Sequence, residues 1–396
     1  MKKVTVVLMS ILLIIALAAC GSETKTKTAS TGGGGGEDVI KIGGIFAASG
    51  GAAPLGKGEM DTAKMLAEQI NEAGGINGKK VELIAYDSKS DQNEAVLSMK
   101  KLIEQDKVLA IVGGTTSGNT LAMLPQAMKA KVPFVSLAAS KQINNPSDGS
   151  SREWVFKTAQ GDDVVIPKVL EYLKSENLTK VAWLNVANSF GTSGHEEFMQ
   201  LSPDYGVEAV IEEEFEATVN DAKAMLTRVK KANPDAVIVW GTAQESAVVT
   251  KNIHELNMDI PVVESHGIAS SKFLELAGDA AEGVVFPAGR ILVADQLADS
   301  DKQKETITTF KDDFEEKFGY PASAFAGHAW DGIQVLKQAI EEGGEDREAI
   351  KKALENTTDF VGISGVFNMS ADDHNGLGSD SLIMIEVKDG NWTIKE

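Results

Sequence analysis

The hydroxyl side chains best placed to bind a ligand lie directly after the apolar segment Val108 to Val112, in Gly113-Gly114-Thr115-Thr116-Ser117-Gly118-Asn119-Thr120. A helical pattern begins where this stretch ends. Backbone N–H groups at a helix N-terminus, together with Ser and Thr hydroxyls, can hold a carboxylate or a phosphate. The same residue types are equally typical of simple helix capping. The stretch therefore predicts either an anion site or a cap.

A second stretch, Gly51 to Lys57, reads G-x-x-x-x-G-K and matches the start of the nucleotide-binding P-loop. The match ends at Gly58, where the motif requires the Ser or Thr hydroxyl that binds Mg²⁺. Pro54 also interrupts the stretch. We therefore interpret residues 47–58 as a glycine-containing loop between a strand and a helix, and not as a phosphate site.

Three further loops follow apolar, strand-like segments. Ser136 to Ser140 contains small residues that let the backbone approach a ligand, and Ser140 adds a hydroxyl. Asn188-Ser189-Phe190-Gly191 carries an aromatic side chain that is either a lid over a ligand or a core residue. Glu264-Ser265-His266-Gly267 carries a histidine that can exchange hydrogen bonds with a ligand, although a lone histidine is more often structural.

Residue patterns for catalysis or metal binding are weak. The other four histidines show no metal-ligand spacing, and Asp372-Asp373-His374 is typical of a solvated turn. The sequence has no Gly-x-Ser-x-Gly elbow and no evident grouping of nucleophile, base and orienting residue. These observations predict a protein that is not an enzyme and that needs no metal or cofactor.

The loops are positioned by a regular alternation of strands and helices after residue 38, which predicts parallel sheets with helices on both faces. The first predicted helix covers Met60 to Ala73, and Lys388-Asp389-Gly390-Asn391 predicts a terminal hairpin. The fold class is therefore α/β, with two doubly wound, Rossmann-like lobes. Ligands of such sheets bind beyond the carboxyl ends of the strands, so we expect a ligand cleft between the lobes. The predicted strands are Val39–Phe46, Val81–Tyr86, Val108–Val112, Val132–Leu137, Val181–Leu184, Val207–Phe215, Ala236–Trp240, Pro261–Val263, Val284–Phe286, Ser381–Val387 and Trp392–Ile394.

The N-terminus predicts export. Lys2 and Lys3 precede an apolar run that ends at Ala19, which is typical of a signal peptide over residues 1–19. The alternative, a transmembrane anchor, fits less well because the run is short for a membrane span. Leu17-Ala18-Ala19-Cys20 resembles the lipobox of bacterial lipoproteins, which implies a lipid on Cys20. Residues 20–37, which include five consecutive glycines, then form a flexible tether.

Cys20 is the only cysteine, so neither an intramolecular disulfide nor a cysteine-based metal site can form. The chain has 38 Lys and Arg against 58 Asp and Glu, a formal net charge of −20. Such a surface repels phosphate backbones, which argues against nucleic acid as a partner.

Several landmarks in fixed order resemble the leucine/isoleucine/valine-binding protein family, the type I periplasmic or extracellular solute-binding proteins of ABC importers. The resemblance covers nearly all of the chain from Val39 onward. The landmarks are Ile40-Lys41-Ile42-Gly43 with Ser49-Gly50, Asn71-Glu72-Ala73-Gly74-Gly75-Ile76-Asn77-Gly78, Tyr86-Asp87, Pro133-Phe134-Val135-Ser136 and Asn188-Ser189-Phe190-Gly191.

The resemblance implies two lobes that close on a small ligand about three crossovers. It places the crossovers near Thr158, Gly289 and Asp359. Lobe 1 then comprises residues 38–158 plus 290–358, and lobe 2 comprises residues 159–289 plus 359–396. The implied partners are a small carboxylate-bearing ligand and the ABC permease subunits, with the protein lipid-anchored on the outer side of the cell membrane.

The resemblance also assigns roles to individual positions. Ser117 and Ser140 would contact the ligand carboxylate, beside the polar Thr115 and Thr116, and the backbone of Ala138 would meet the ligand. The apolar walls would come from Leu55, Phe190 and Phe325, and Thr242 stands at a wall position that is aromatic in some members. We also expect Trp240 to contribute to the apolar pocket.

One departure from the family pattern concerns the ligand itself. His266 stands where amino-acid-binding members have a glutamate that neutralises the ligand ammonium. A Ser-His-Gly at this place resembles a branch associated with aromatic or other carboxylic acids. The expected ligand is therefore a branched-chain amino acid or a related aliphatic or aromatic carboxylic acid. A ligand-binding sensor for a membrane receptor is the alternative function.

Overall fold

The computed structural model describes residues 39–395. The predicted signal peptide, the lipid site at Cys20 and the tether lie outside these residues. A first sheet of five parallel strands has the order β2-β1-β3-β4-β5 and is flanked by α1, α2 and α3. Its elements are β1 (Ile40–Phe46), α1 (Ala53–Glu72), β2 (Val81–Asp87), α2 (Gln92–Lys101), β3 (Ala110–Gly113), α3 (Ser117–Ala130), β4 (Phe134–Ser136) and β5 (Val155–Lys157).

A second sheet repeats this winding and extends it at one edge. Its strands have the order β14-β13-β10-β9-β8-β6-β7, in which β6 to β10 are parallel. The parallel part comprises α4 (Asp162–Ser175), β6 (Lys180–Val186), α5 (Ser189–Tyr205), β7 (Glu208–Phe215), α6 (Lys223–Ala232), β8 (Ala236–Trp240), α7 (Ala243–Glu255), β9 (Val262–Glu264), α8 (Ser271–Ala277) and β10 (Val285–Ala288).

The C-terminal part of the chain visits both sheets. Helix α10 packs against α1 and so covers the first sheet, whereas β13 pairs antiparallel with β10 of the second sheet. The predicted hairpin joins β13 to β14, with positive φ at Asp389 and Gly390, as a type I′ turn requires. The elements are α9 (Lys304–Phe318), α10 (Ala324–Gly343), α11 (Arg347–Glu355), β11 (Phe360–Val361), β12 (Val366–Phe367), β13 (Ile383–Lys388) and β14 (Asn391–Ile394).

The central strands are buried because helices cover both faces of each sheet. Strands β3 and β8 are buried along their whole length. This explains why their sequences read as continuous apolar runs without alternation. The predicted α/β fold with two doubly wound sheets is confirmed, and in both sheets the strand order reverses, between β1 and β3 in the first and between β6 and β8 in the second.

The first helix begins earlier than the sequence predicts. Residues 53–58, which we predicted to be loop, form the first turns of α1. Pro54 lies in the first turn, where the missing N–H of proline costs no hydrogen bond. Gly56 lets the helix approach the end of β1, since a Cβ there would lie 2.4 Å from the Ala47 carbonyl oxygen. The P-loop-like stretch is therefore mostly helix.

Two other local predictions were wrong. The loop predicted at Asn188–Gly191 is a helix start, because Asn188 caps α5 by accepting hydrogen bonds from the N–H groups of Phe190 and Gly191. His374 does not lie in a solvated turn. It is buried, stacks on Phe156 with ring centroids 4.1 Å apart, and contacts the Val155 carbonyl oxygen through Nδ1.

Candidate functional site

A cavity of about 470 Å³ lies where the carboxyl ends of the two sheets face each other. Its lining residues come from the segments that follow β1 to β5 of the first sheet and β6 to β9 of the second, and from α10. The two points where the strand order reverses both contribute. Such crevices are where open α/β sheets bind ligands. Among residues 39–395, no group of three or more His, Cys, Asp or Glu is placed to hold a metal ion.

Residues 113–119, here called the anion loop, form one side of the cavity. Gly113 has φ of 133°, and a Cβ there would lie 2.1 Å from the Ile45 carbonyl oxygen. The loop can therefore pass close over the end of β1 only with glycine at this position. Thr116 then caps α3, its Oγ1 accepting a 3.3 Å hydrogen bond from Asn119 N–H. The predicted cap is thus present, and it brings the first N–H groups of α3 to the cavity.

Ser117 is the first residue of α3 and lines the cavity. Its Oγ accepts a 3.2 Å hydrogen bond from Ser140 N–H, which fixes the orientation of the hydroxyl. The hydroxyl hydrogen remains able to donate to a bound group. Together with the positive end of the α3 dipole, this donor makes the region suitable for an anionic oxygen.

Phe190 and His266 form part of the facing wall, with Trp240 buried behind them. The ring centroids of Phe190 and Trp240 lie 5.9 Å apart, and the His266 ring meets both edge-on, at 5.5 Å from Phe190 and 5.9 Å from Trp240. His266 is 6% exposed, and neither of its ring nitrogens has a hydrogen-bond partner among the described residues. A buried, unpaired imidazole in a cavity wall is suited to exchange a hydrogen bond with a bound molecule.

Two histidines of the cavity are neutral at pH 7. Burial, with smaller contributions from the charges of His328 and Lys157, lowers the pKa of His266 to about 3. Burial and Lys157 likewise lower the pKa of His328, on α10, to about 3. His328 Nδ1 lies 2.7 Å from Ser364 Oγ. The cavity therefore presents neutral imidazoles and not imidazolium cations.

Glu245 is a carboxylate of the cavity lining, but its oxygens already have partners. Its Oε1 accepts hydrogen bonds from the Thr242 N–H at 2.7 Å and from the Thr242 hydroxyl at 2.9 Å. These contacts form a capping box at the start of α7. Burial raises the pKa of Glu245. We therefore assign Glu245 to the helix cap.

A family model described as periplasmic binding protein matches residues 39–391. The chain belongs to the periplasmic binding protein family. One curated relative of this chain is the leucine-, isoleucine-, valine-, threonine- and alanine-binding protein of Pseudomonas aeruginosa. It is 26% identical over 325 residues, which cover 81% of this chain and 83% of the relative.

Two solved structures are similar to this periplasmic binding protein. One is an extracellular ligand-binding receptor from Rhodopseudomonas palustris HaA2, with a TM-score of 0.84, 26% identity and coverage of 90% of this chain and 99% of that one. The other is the branched-chain amino acid transporter substrate binding protein LivJ from Streptococcus pneumoniae, in complex with isoleucine. Its TM-score is 0.79 at 28% identity, with coverage of 89% and 97%.

Most of the predicted site residues of this periplasmic binding protein lie together. Nine of them line the cavity, namely Leu55, Thr115, Thr116, Ser117, Ala138, Phe190, Thr242, His266 and Phe325. Ser140 and Trp240 are not among the lining residues. The Ser140 hydroxyl accepts a hydrogen bond from Gln142 N–H behind the anion loop, and Trp240 is fully buried beneath Phe190 and His266.

The sequence analysis did not predict several polar residues of the lining, among them His328, Gln92, Gln244 and Glu245. His328 could have been found, because it lies three residues after Phe325 on the same helix and residues at that spacing share a face. Gln92 and Gln244 lie in first turns of α2 and α7. A systematic search of all helix starts at this edge would have included them. Within residues 39–395, no helix combines the length and apolar character needed to span a membrane.

Proposed function

We propose that this protein is the solute-binding component of an ABC importer and that it captures a small carboxylate-bearing ligand between its two lobes. The supporting observation is the pairing of an anion loop, where Ser117 lies at the N-terminus of α3, with a neutral His266 in the same cavity. The names of the similar proteins, which include a branched-chain amino acid transporter protein, support the transport role. Binding without turnover is part of this proposal.

The chemistry of the cavity favours a carboxylate without a neighbouring ammonium. An ammonium in a dry cavity needs a carboxylate partner, because burying an unpaired charge is costly. His266 is neutral, and Glu245 is committed to its helix cap. We therefore propose an aliphatic or aromatic carboxylic acid as the ligand, held against Leu55, Phe190 and Phe325.

Closure of the lobes is proposed to occur about crossovers near Thr158, Gly289 and Asp359. Lobe 1 would comprise residues 38–158 plus 290–358, and lobe 2 would comprise residues 159–289 plus 359–396. One contact between crossover segments supports this arrangement. Gln160 Nε2 donates a 2.7 Å hydrogen bond to the Ser364 carbonyl oxygen.

The N-terminal sequence completes the proposed role. A lipid on Cys20 and the tether up to residue 37 would hold the protein at the outer face of the cell membrane, where it would deliver its ligand to the permease subunits. These residues lie outside the described part of the structure. Metabolic labelling with a radioactive fatty acid, in wild type and in Cys20→Ser, tests the anchor. Label in both proteins or in neither would refute it.

Calorimetry with a matched pair of ligands tests the proposed ligand class. Leucine and 4-methylpentanoate share a carbon skeleton and differ only in the ammonium group, and benzoate adds an aromatic carboxylate. We expect 4-methylpentanoate or benzoate to bind at least tenfold more tightly than leucine. Tighter binding of leucine would refute the assignment to His266, and binding of none of the three would refute the proposed carboxylate class. Mass spectrometry of molecules that co-purify with the protein would then identify the natural ligand.

A further inference from the structure

Glu59 lies beneath the anion loop and contacts it directly. It belongs to α1 and is completely buried. Its Oε2 accepts a 2.5 Å hydrogen bond from the Thr115 hydroxyl, and Thr115 Oγ1 in turn accepts a 2.9 Å bond from Ala47 N–H. Three segments therefore meet at one hydroxyl: the first helix, the end of β1 and the anion loop.

The contact is unusual because it places an acidic side chain under a region suited to an anion. The second carboxyl oxygen of Glu59, Oε1, is buried without a hydrogen-bond partner. A buried carboxylate with one partner is costly, whereas the protonated acid is much less so. Burial raises the pKa of Glu59 to about 8, and the hydrogen bond from Thr115 opposes this only in part. At neutral pH the residue is therefore a neutral acid.

Charged groups on the neighbouring elements are engaged elsewhere. On α1 itself Lys57 pairs with Asp61, and on α10 Asp331 accepts from the N–H groups of Ile363 and Ser364. Other ion pairs and hydrogen bonds on the strands and helices around Glu59 join Lys41 with Glu82, Asp87 with Ser49 and Lys89, Lys317 with Glu68, Asp313 with Gln69, Lys337 with Glu341, and His328 with Ser364. Thr115 is thus the group that contacts the Glu59 carboxyl.

We propose that Glu59 is a positioning residue that holds the anion loop through Thr115 as a neutral acid, so that the loop is fixed without a negative charge beneath the ligand. The effect of Glu59 on ligand binding rests on the proposed carboxylate site, whereas its contact with Thr115 does not. It implies that deprotonation of Glu59 loosens the loop and repels an anionic ligand.

The sign of the pH effect follows from linkage. The closed loop favours the protonated acid, whereas an opened loop exposes Glu59 to water, where its pKa returns to about 4.5. Raising the pH from 6 to 9 therefore favours opening, by up to about a hundredfold if opening fully exposes the carboxyl. The effect levels off above the pKa of the buried acid.

The contact by which Glu59 holds the anion loop through Thr115 is called the clamp below. Hydrogen exchange on the ligand-free protein tests it. Exchange of residues 44–48 and 113–119 is measured at pH 6 and pH 9 and corrected for the intrinsic pH dependence. We expect wild type to lose at least tenfold in protection at pH 9, and Glu59→Gln, which is neutral at both pH values, to lose none. Equal losses in wild type and Glu59→Gln would overturn the proposal.

Glu264→Gln is the matched control. Glu264 is equally buried, its pKa is likewise raised to about 8 by burial, and it accepts a 2.7 Å hydrogen bond from the Thr250 hydroxyl in the other lobe. This variant should keep the pH response of the anion loop, and loss of that response would show a global effect and overturn the proposal. If Glu59→Gln fails to fold, Glu59→Met, which also carries no titratable group, replaces it. A pH response retained in that variant would refute the proposal.

A second measurement separates the clamp from the ligand assignment. The affinity for 4-methylpentanoate should fall by up to about tenfold from pH 7 to pH 9 in wild type and stay constant in Glu59→Gln. Failure of wild type to bind this probe at either pH would count against the proposed ligand class, while the exchange experiment would still decide the clamp. A fall in affinity of equal size in both proteins would refute the charge effect.

Discussion

Replacing His266 with glutamate should convert the cavity from the proposed site for simple carboxylates into a site for amino acids. Burial lowers the pKa of the wild-type imidazole to about 3, so it is neutral at pH 7 in the ligand-free cavity. It offers an ammonium no counter-charge. The carboxylate introduced by His266→Glu would supply that counter-charge at the place where both ring nitrogens of His266 lack partners.

The expected size of the switch comes mainly from the gain for leucine. A charge-assisted hydrogen bond contributes about 1.5–3 kcal/mol, so leucine should gain about tenfold or more in affinity. With 4-methylpentanoate bound, the buried new carboxyl would have no cationic partner and would be protonated, as Glu59 is, so we expect this affinity to change little. The ratio of the two affinities should therefore change by about tenfold or more.

Titration calorimetry of both compounds against wild type, His266→Glu and His266→Gln measures this ratio. The glutamine variant is the control, since it can exchange hydrogen bonds but carries no charge. Its ratio should stay close to that of wild type. An unchanged ratio in His266→Glu would show that position 266 does not meet the α-substituent of the ligand. The same change in both variants would show that size, and not charge, determines the preference.

Two other pairs of variants test the loop and the helix start. Ser117→Ala should weaken 4-methylpentanoate binding about tenfold, because it removes a donor to a charged group. Ser140→Ala should change this affinity by less than about threefold, because the Ser140 hydroxyl caps a turn and the N–H group that contacts Ser117 is retained. Equal losses of affinity in calorimetry would contradict this distinction. Gly56→Ala should lower the free energy of unfolding by about 1–3 kcal/mol, because its Cβ would meet backbone atoms. Gly58→Ala should be neutral or stabilise by up to about 1 kcal/mol, since its nearest neighbour would lie at an ordinary 3.5 Å. Urea unfolding that ranks the two glycine variants in the opposite order would refute the close approach of α1 to β1.

The sheets were predictable because their strands are buried on both faces and so form apolar runs. The predicted strand Ala236–Trp240 has the observed bounds of β8. Helix starts were harder, because the residues that begin a helix, such as Pro54 and Asn188, also begin turns. Only the tertiary packing, such as the contact of Gly56 with the end of β1, distinguishes the two.

The candidate site was predictable as a set of loops and less so as individual side chains. The strand order brings the segments after β1, β3, β6 and β9 to one cavity. His266 and the anion loop therefore line the same cavity from different sheets. The sequence could not show that Ser140 faces a turn and Trp240 lies one layer behind Phe190. Nor could it show that Thr115 is held by Glu59, since the two residues are 56 positions apart.

The return of α10 to the first sheet has a consequence for how the chain folds. Helix α1 finds its partner only after some 250 further residues, since α10 begins at Ala324. Until then the apolar side of α1, which includes Met65 and Leu66, has no cover from α10. Contacts between such distant segments form slowly. A chain of this design stays incompletely folded until most of it has been synthesised, which suits the export that we expect from its first 19 residues.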